Sequence, residues 1–295
     1  MFRRRVVTVG RSPFVIVLGT AQDAGIPQAG CGCPACVVAR ECRELQRRPS
    51  CLGIVDPETG GRWLIDATPA FPQQLHDLSV AASTGRVGPP DGIFLTHAHV
   101  GHYAGLINLG HEVMDCRRVP LWVMPAMKRF LQDNQPWASL VRRENVVLQE
   151  LAPGRPVSLG NSVRVVAIPV PHRDECSETV AFGIEGPTSR VLWLPDIDTW
   201  DERLATWLAG AEVAWLDGTF FDCSELPGRD LAQIPHPCVG EHLDEYSRLA
   251  RELEVDIRLV HLNHSNPVAT ADSAESKRVA NAGVTIASEG ERVEL

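Results

Sequence analysis

The chain has 295 residues and a formal net charge of −9, long enough for one large α/β domain or two small ones with a sizeable core. With 44% hydrophobic and 22% charged residues, 24 Gly and 22 Pro, it has the composition of a folded soluble chain, which excludes extended disorder. The only basic block is RRR at residues 3–5, which argues against a nucleic-acid partner, and no apolar run approaches the roughly 20 residues of a membrane helix.

The N-terminus is basic and then apolar, but Arg11 and Pro13 interrupt the run and no small-residue cleavage pattern follows. A cytoplasmic location is expected. FVIVLGT (14–20) is a short apolar run and predicts a buried strand. A Gly- and Pro-rich loop follows, then CPACVVARECRELQRR, a helix opening at Pro34 with a basic end. CLGIVD and RWLIDA flank PETGG as a hairpin, and AFPQQLHDL predicts a helix. GIFLT is a buried strand, and a helix starts in HVGHYAGLINLG. VPLWVM predicts a strand and PAMKRFLQD a helix. VVLQEL, VRVVAIPV, ETVAFGIEG, VLWLPD and EVAWLDG are strands, with ERLATWLAG a helix before the last. HLDEYSRLARELE has helical spacing, IRLVHLNH is a long strand, ADSAESKRVANAG a helix and VTIASEG a closing strand. Strand pairs come first and mix with helices later, which predicts stacked sheets with outer helices rather than a βα barrel.

Nine cysteines are present. Cys31, Cys33 and Cys36 crowd together and the rest are scattered, which fits metal ligation or free thiols better than a disulfide framework. Three thiolates this close can wrap one Zn²⁺ if a fourth ligand arrives.

The second cluster is THAHVGH. His97 and His99 lie two apart at a strand's mouth, so both can face one way. His102 follows where a helix begins. Three imidazoles at this spacing suit zinc, iron or manganese. Further ligand-type residues end later strands: His172, Asp196, Asp217, His261 and His264. Such residues at several strand ends predict one site on one rim of a sheet.

HAHVGH, followed by a strand-end His, Asp and His, resembles the metallo-β-lactamase-fold superfamily over nearly the whole chain. The C-x-C-x2-C spacing after the first strand, the run DGTFFDCSELPGRDLAQIPHP and the run LVHLNHSNP are similar to the PQQ-biosynthesis protein B family. The related phosphonate-pathway cyclic phosphodiesterases share the cysteine spacing. The resemblance implies one domain over 1–295, of α/β (α+β) class, built as a four-layer αββα sandwich. It implies a first metal site at His97, His99 and His172, a bridging Asp196, and a second site at His102 and His261. Gly101 stands where the second site's aspartate belongs, which leaves that site one side-chain ligand short. The better-known PQQ proteins depart instead at the first two histidines. Replacing Gly101 by Asp is therefore expected to raise occupancy of the second site. His264 is implied as the fourth ligand of a structural Cys3His zinc.

The resemblance also places Asp66 at the superfamily's second-strand aspartate, either ordering the active-site loops or serving in a turn. His236 in IPHP is read as a substrate contact or proton donor, or as a plain loop residue. Gln22 and Asp23 lie in the first glycine-rich loop near the pocket and carry no assigned role. One or two catalytic divalent metals (Zn²⁺, Mn²⁺ or Fe²⁺) acting on a small-molecule ester or phosphodiester form the leading expectation. An iron-dependent oxygenase or maturation enzyme of cofactor biosynthesis is the alternative, and a non-catalytic binding protein the third reading. A homodimer is expected from base frequency alone.

Overall fold

The computed structural model describes residues 12–226, 234–270 and 272–295. The RRR run, the middle of the DGTFF…IPHP run and residue 271 lie outside these. Fourteen strands are found among the described residues: β1 Phe14–Gly19, β2 Cys51–Asp56, β3 Gly61–Ile65, β4 Gly92–Phe94, β5 Val119–Val123, β6 Val146–Glu150, β7 Pro156–Leu159, β8 Val163–Pro169, β9 Val180–Glu185, β10 Arg190–Leu194, β11 Val213–Asp217, β12 Asp256–Val260, β13 Thr285–Ile286 and β14 Arg292–Glu294. The helices are α1 Pro34–Glu41, α2 Phe71–Ala82, α3 Val100–Tyr103, α4 Pro125–Asp133, α5 Trp137–Arg142, α6 Arg203–Leu208, α7 Val239–Leu253 and α8 Ala274–Asn281.

The strands form two seven-stranded sheets, ordered β14-β1-β2-β3-β4-β5-β6 and β13-β12-β11-β10-β9-β8-β7. The central strands are apolar on both faces because both faces are covered. In β1, Ile16 and Leu18 pack against Phe71 and Leu78 of α2. Their neighbours Val15 and Val17 point the other way, into a layer with Phe182, Trp193 and Trp215 of the second sheet. Leu192, Leu194 and Leu216 on the far face of that sheet meet Leu204 of α6 and Leu243 and Tyr246 of α7. The period-two alternation of a strand thus builds four layers, helices outside and sheets inside, from continuous hydrophobic runs.

Strand direction sets where the site lies. β3, β4 and β5 run parallel, and β10, β11 and β12 run parallel. Two antiparallel steps make β8 parallel to β10 and β1 parallel to β3. The loops leaving β1, β3, β4, β8, β10, β11 and β12 therefore emerge on one rim.

Several sequence expectations need correction. The helix opened by Pro34 stops at Glu41 and a 3-10 turn, Arg43–Leu45, follows. The last long strand stops at Val260, because His261 turns into the left-handed region at φ 63. The edge strands β7 (PVSL) and β14 (RVE) and the short helix α5 were not expected. Each is only three to six residues long, too short for a periodicity to announce it. Cys223 and Cys238 form a disulfide across a separation of 15 residues, where only ligands or free thiols were expected; the loop they close carries His236. No helix among the described residues is long and apolar enough to cross a membrane.

Candidate metal centre

The short loop between β4 and α3 carries the three motif histidines. His97 Nε2 and His99 Nδ1 lie 2.8 Å apart, and His172 Nε2, arriving from the end of β8, lies 3.3 Å from His99 Nδ1. Nitrogens at bonds of ~2.0–2.1 Å on a tetrahedral cation stand about 3.3 Å from one another, so this triplet has the spacing of three ligands on one ion. Each buried ring is oriented from behind. His97 Nδ1 meets Thr96 Oγ1 at 3.0 Å, and His172 Nδ1 meets Asp198 Oδ1 at 2.9 Å. Such contacts fix the tautomer that presents the other nitrogen. Burial, helped by neighbouring histidines, pushes the pKa of His97 well below the usual imidazole value. Burial first, then His172 and Arg173, lowers His99 to about 4, against the pull of Asp196. Both rings are neutral at pH 7, the form that binds a cation.

Asp196, just past β10, sits between this triplet and a second group. Its Oδ1 is 3.7 Å from His172 Nε2 and its Oδ2 is 3.9 Å from His97 Nε2. The same Oδ2 lies 3.0 Å from His102 Nε2 and 3.2 Å from His261 Nε2. The second pair is also braced from behind. His102 Nδ1 lies 2.7 Å from Asp66 Oδ2, and His261 Nδ1 lies 2.8 Å from Thr219 Oγ1. Asp66 in turn accepts from the Thr96 amide at 2.8 Å. It orders the loop and is not a bare turn residue. Asp66 and His261 both hold positive φ, 69 and 63, a conformation that costs about 1–3 kcal/mol and persists where surroundings impose it.

The electrostatics of the centre suit a bound cation. Asp66, Asp196 and Asp217 are buried, and the carboxylate of Asp23 joins them from the first loop, 3.2 Å from His102 Nε2. Burial alone would raise the pKa of Asp196, but His261, His102 and His172 hold it well below the carboxylate range. Burial would lower His102; Asp66, Asp196 and Asp23 outweigh it and hold that ring well above the usual value. Asp23 Oδ1, Asp196 Oδ2 and His261 Nε2 are all buried without an aligned hydrogen bond. Two carboxylate oxygens within 3.0–3.2 Å of His102 Nε2 but not aligned with it, beside an unpartnered His261 Nε2, fit a divalent ion bound among them.

Asp217, a sequence candidate at the rim, supports the site from outside it. It accepts from the Ile197 amide at 3.0 Å and the Thr219 amide at 2.8 Å, and its Oδ2 lies 2.7 Å from His236 Nδ1. His236 thereby stands beside the centre, its Nδ1 4.0 Å from Asp196 Oδ1. Burial opposes protonation of His236, but Asp217 prevails and its pKa is raised. The whole arrangement opens into a cavity of about 700 Å³, lined among others by Gln22, Asp23, His99, Arg173, Asp196 and His236.

The first loop also brings Cys31, Cys33 and Cys36 to His264, with all four ligand atoms within 4.8 Å of one another. Cys31 Sγ and Cys33 Sγ lie 3.6 and 3.4 Å from His264 Nδ1. Bonds of ~2.1–2.3 Å to a tetrahedral zinc predict about the same edge, so the donor set fits a closed Cys3His site.

The structure thus brings His97, His99, His102, His172, Asp196, His236 and His261 into one centre, and Cys31, Cys33, Cys36 and His264 into another. Sequence reasoning gave no role to Thr96, Asp198, Thr219 or Arg173, whose side chains are set only by tertiary packing. It placed Asp23 near the pocket without a role, although the gap at Gly101 was the signal. The expectation that Gly101→Asp fills the second site is overturned. A Cβ at Gly101 would stand 2.4 Å from Asp23 Cα and 2.2 Å from its Oδ1, so no side chain fits there.

Two stacked sheets between helices, with His and Asp ligands on one rim, define a metallo-β-lactamase fold, and residues 61–282 match the beta-lactamase superfamily domain; the chain belongs to that superfamily. Among its relatives, coenzyme PQQ synthesis protein B of Rhizobium meliloti is 28% identical, covering 95% of this chain and 97% of that protein. The crystal structure of Zn²⁺-bound PqqB from Methylobacterium extorquens superposes with a TM-score of 0.80 at 24% identity, covering 96% of this chain and all of that one. A diphosphatase of the PhnP family superposes with a TM-score of 0.67 at 21% identity, over 96% of this chain and 97% of that one.

Proposed function

We propose that this chain is a metal-dependent hydrolase of an anionic small-molecule ester or phosphodiester. The observation that carries it is the convergence of five buried or half-buried imidazoles on Asp196 at the floor of an open cavity. A divalent cation held by His97, His99 and His172 supplies Lewis acidity and brings the pKa of water toward neutrality. The chain's own residues do the rest. Asp196 presents its ionised carboxylate at the point where both histidine groups meet. Arg173 lies on the cavity wall with its guanidinium 3.5 Å from His99 Nδ1 and its Nε buried without a partner. Those donors suit a carboxylate or phosphoryl oxygen of the substrate. His236, whose pKa Asp217 raises against burial, is the proton donor to a leaving oxygen through its other ring nitrogen.

The test uses the purified full chain, loaded with Zn²⁺ or Mn²⁺ and incubated anaerobically with bis(p-nitrophenyl) phosphate and p-nitrophenyl esters. Metal-dependent release of nitrophenol, lost in His99→Ala, is the expected result. A second reading is supported by the thiolate-free donor set, which also accepts Fe²⁺: an oxygenase acting in the making of a redox cofactor, the context named by the relatives. Oxygen uptake by the iron-loaded chain, with no hydrolysis under any metal, would favour that reading. A metal-free histidine cluster would leave a binding protein.

A further inference from the structure

The empty position at Gly101 and the unassigned carboxylate of Asp23 occupy the same space. Thr20 and Gln22 pair their backbones with Leu262, next to His261: the Leu262 amide donates to Thr20 O at 2.9 Å and the Gln22 amide to Leu262 O at 3.0 Å. A tight turn then closes with the Gly25 amide donating to Gln22 O at 2.9 Å, Gly25 taking φ +69, where glycine is the unstrained residue. Asp23 stands in that turn, pressed against Gly101 so closely that a Cβ there would meet its Cα at 2.4 Å. Its Oδ1 reaches within 3.2 Å of His102 Nε2 and 4.0 Å of His261 Nε2. This oxygen, Asp196 Oδ2 and His261 Nε2 are buried and unaligned with any hydrogen-bond partner, while the Nδ1 atoms of both rings are engaged from behind.

We infer that Asp23 is the carboxylate ligand of a second divalent-cation site, with His102, His261 and the shared Asp196, in place of the side chain that Gly101 lacks. The glycine is what admits the donor loop, so the loss at 101 and the gain at 23 are one exchange. The site is complete with oxygen and imidazole donors, a set that takes Zn²⁺, Mn²⁺ or Fe²⁺. This inference rests on the reading of the histidine cluster as a metal centre. If Asp23 served only as a counter-charge to a protonated His102, no cation would depend on it.

The experiment counts Zn²⁺ per chain by elemental mass spectrometry after equilibrium dialysis, on the full-length wild type and on Asp23→Ala, Asp23→Asn, Gly101→Ala and His97→Ala, with thermal melts confirming folding. Wild type is expected to hold about three Zn²⁺, counting the cysteine site. Both Asp23 variants are expected to hold about one fewer, or to bind that ion at least 10-fold more weakly, with the other two ions kept. Gly101→Ala is expected to lose the same ion by displacing the loop. Full stoichiometry and affinity in both Asp23 variants, or a wild type with only one ion at the histidine centre, overturns the assignment. His97→Ala keeping every ion would instead sink the underlying reading of the centre, so the two failures are separable.

Discussion

The cysteine cluster and the histidine centre share two segments, the loop after β1 and the turn after β12, yet are built to different plans. Cys31, Cys33, Cys36 and His264 supply four donors to one tetrahedron and leave no position for a substrate. The histidine centre draws ligand-type groups from many strand ends, braces ring after ring from behind and faces the cavity. A closed donor set can only hold segments together; an open one leaves coordination positions for chemistry. A zinc held by the cysteine cluster would pin the loop that carries Asp23 to the turn after β12.

The widest contrast is expected between two single substitutions. His99→Ala should lower hydrolysis by at least about 10³-fold, since it removes a ligand of the ion that activates water, while the melting temperature stays within a few degrees of wild type. Cys33→Ala should do the reverse in kind. It opens the zinc tetrahedron and releases the first loop from His264, and a loss of about 3 kcal/mol would move Tm by roughly 5–10 °C for a chain of this size. Equal unfolding in both variants would falsify the division into a structural and a catalytic site.

A finer cut separates the residues behind the ligands. Asp66→Asn keeps the shape of the loop but changes the group that faces His102 Nδ1, and losing such a brace weakens metal affinity by about 10–100-fold. Isothermal titration of the second cation should show that loss with the first cation and the cysteine zinc unaffected. A variant that binds both cations as wild type does would reduce Asp66 to a loop-ordering role. His236→Ala should lower kcat by about 10²-fold. The loss should be larger for substrates with poor leaving groups, because only those need its proton; an equal loss for all leaving groups would count against a proton donor.

How much of this was legible in the chain itself follows from where the information sits. The strands of the inner layers announce themselves as apolar runs, and the HAHVGH spacing with strand-end His172, Asp196 and His261 is local enough to read. The edge strands are not, because PVSL and RVE are short and send only Leu159 and Val293 fully into the core, too few for an alternation to be read. Nor are Thr96, Asp198 and Thr219, whose roles come from side chains meeting across separate loops. Gly101 is the instructive case. In the sequence it reads as a missing ligand, and only the approach of the first loop, set by pairing at Leu262 far along the chain, shows that the glycine makes room for a carboxylate.

The smallest expected effect is a count of protons. In the metal-free chain His97 and His99 have pKa values lowered below that of free imidazole, so at pH 7 both rings are already neutral and cation binding to them displaces no proton. His102 is opposite in sign: its folded pKa is raised, so at pH 7 it carries a proton that a cation at Nε2 must expel. Titration at pH 7 in two buffers of different ionisation enthalpy should show more proton release at the second cation than at the first. The same signs shape stability without metal. Acidification from about pH 6.5 toward 4 should destabilise the fold, because the unfolded chain takes up protons that buried His97 and His99 refuse. Above pH 6.5 the stability contributed by His102 should decline as pH climbs through its raised pKa, and saturating the second site should abolish that alkaline decline, since the ring is then neutral in the folded state. Equal proton release at both steps would mean that the two groups of histidines do not differ in charge, and that the carboxylates around His102 are screened from it.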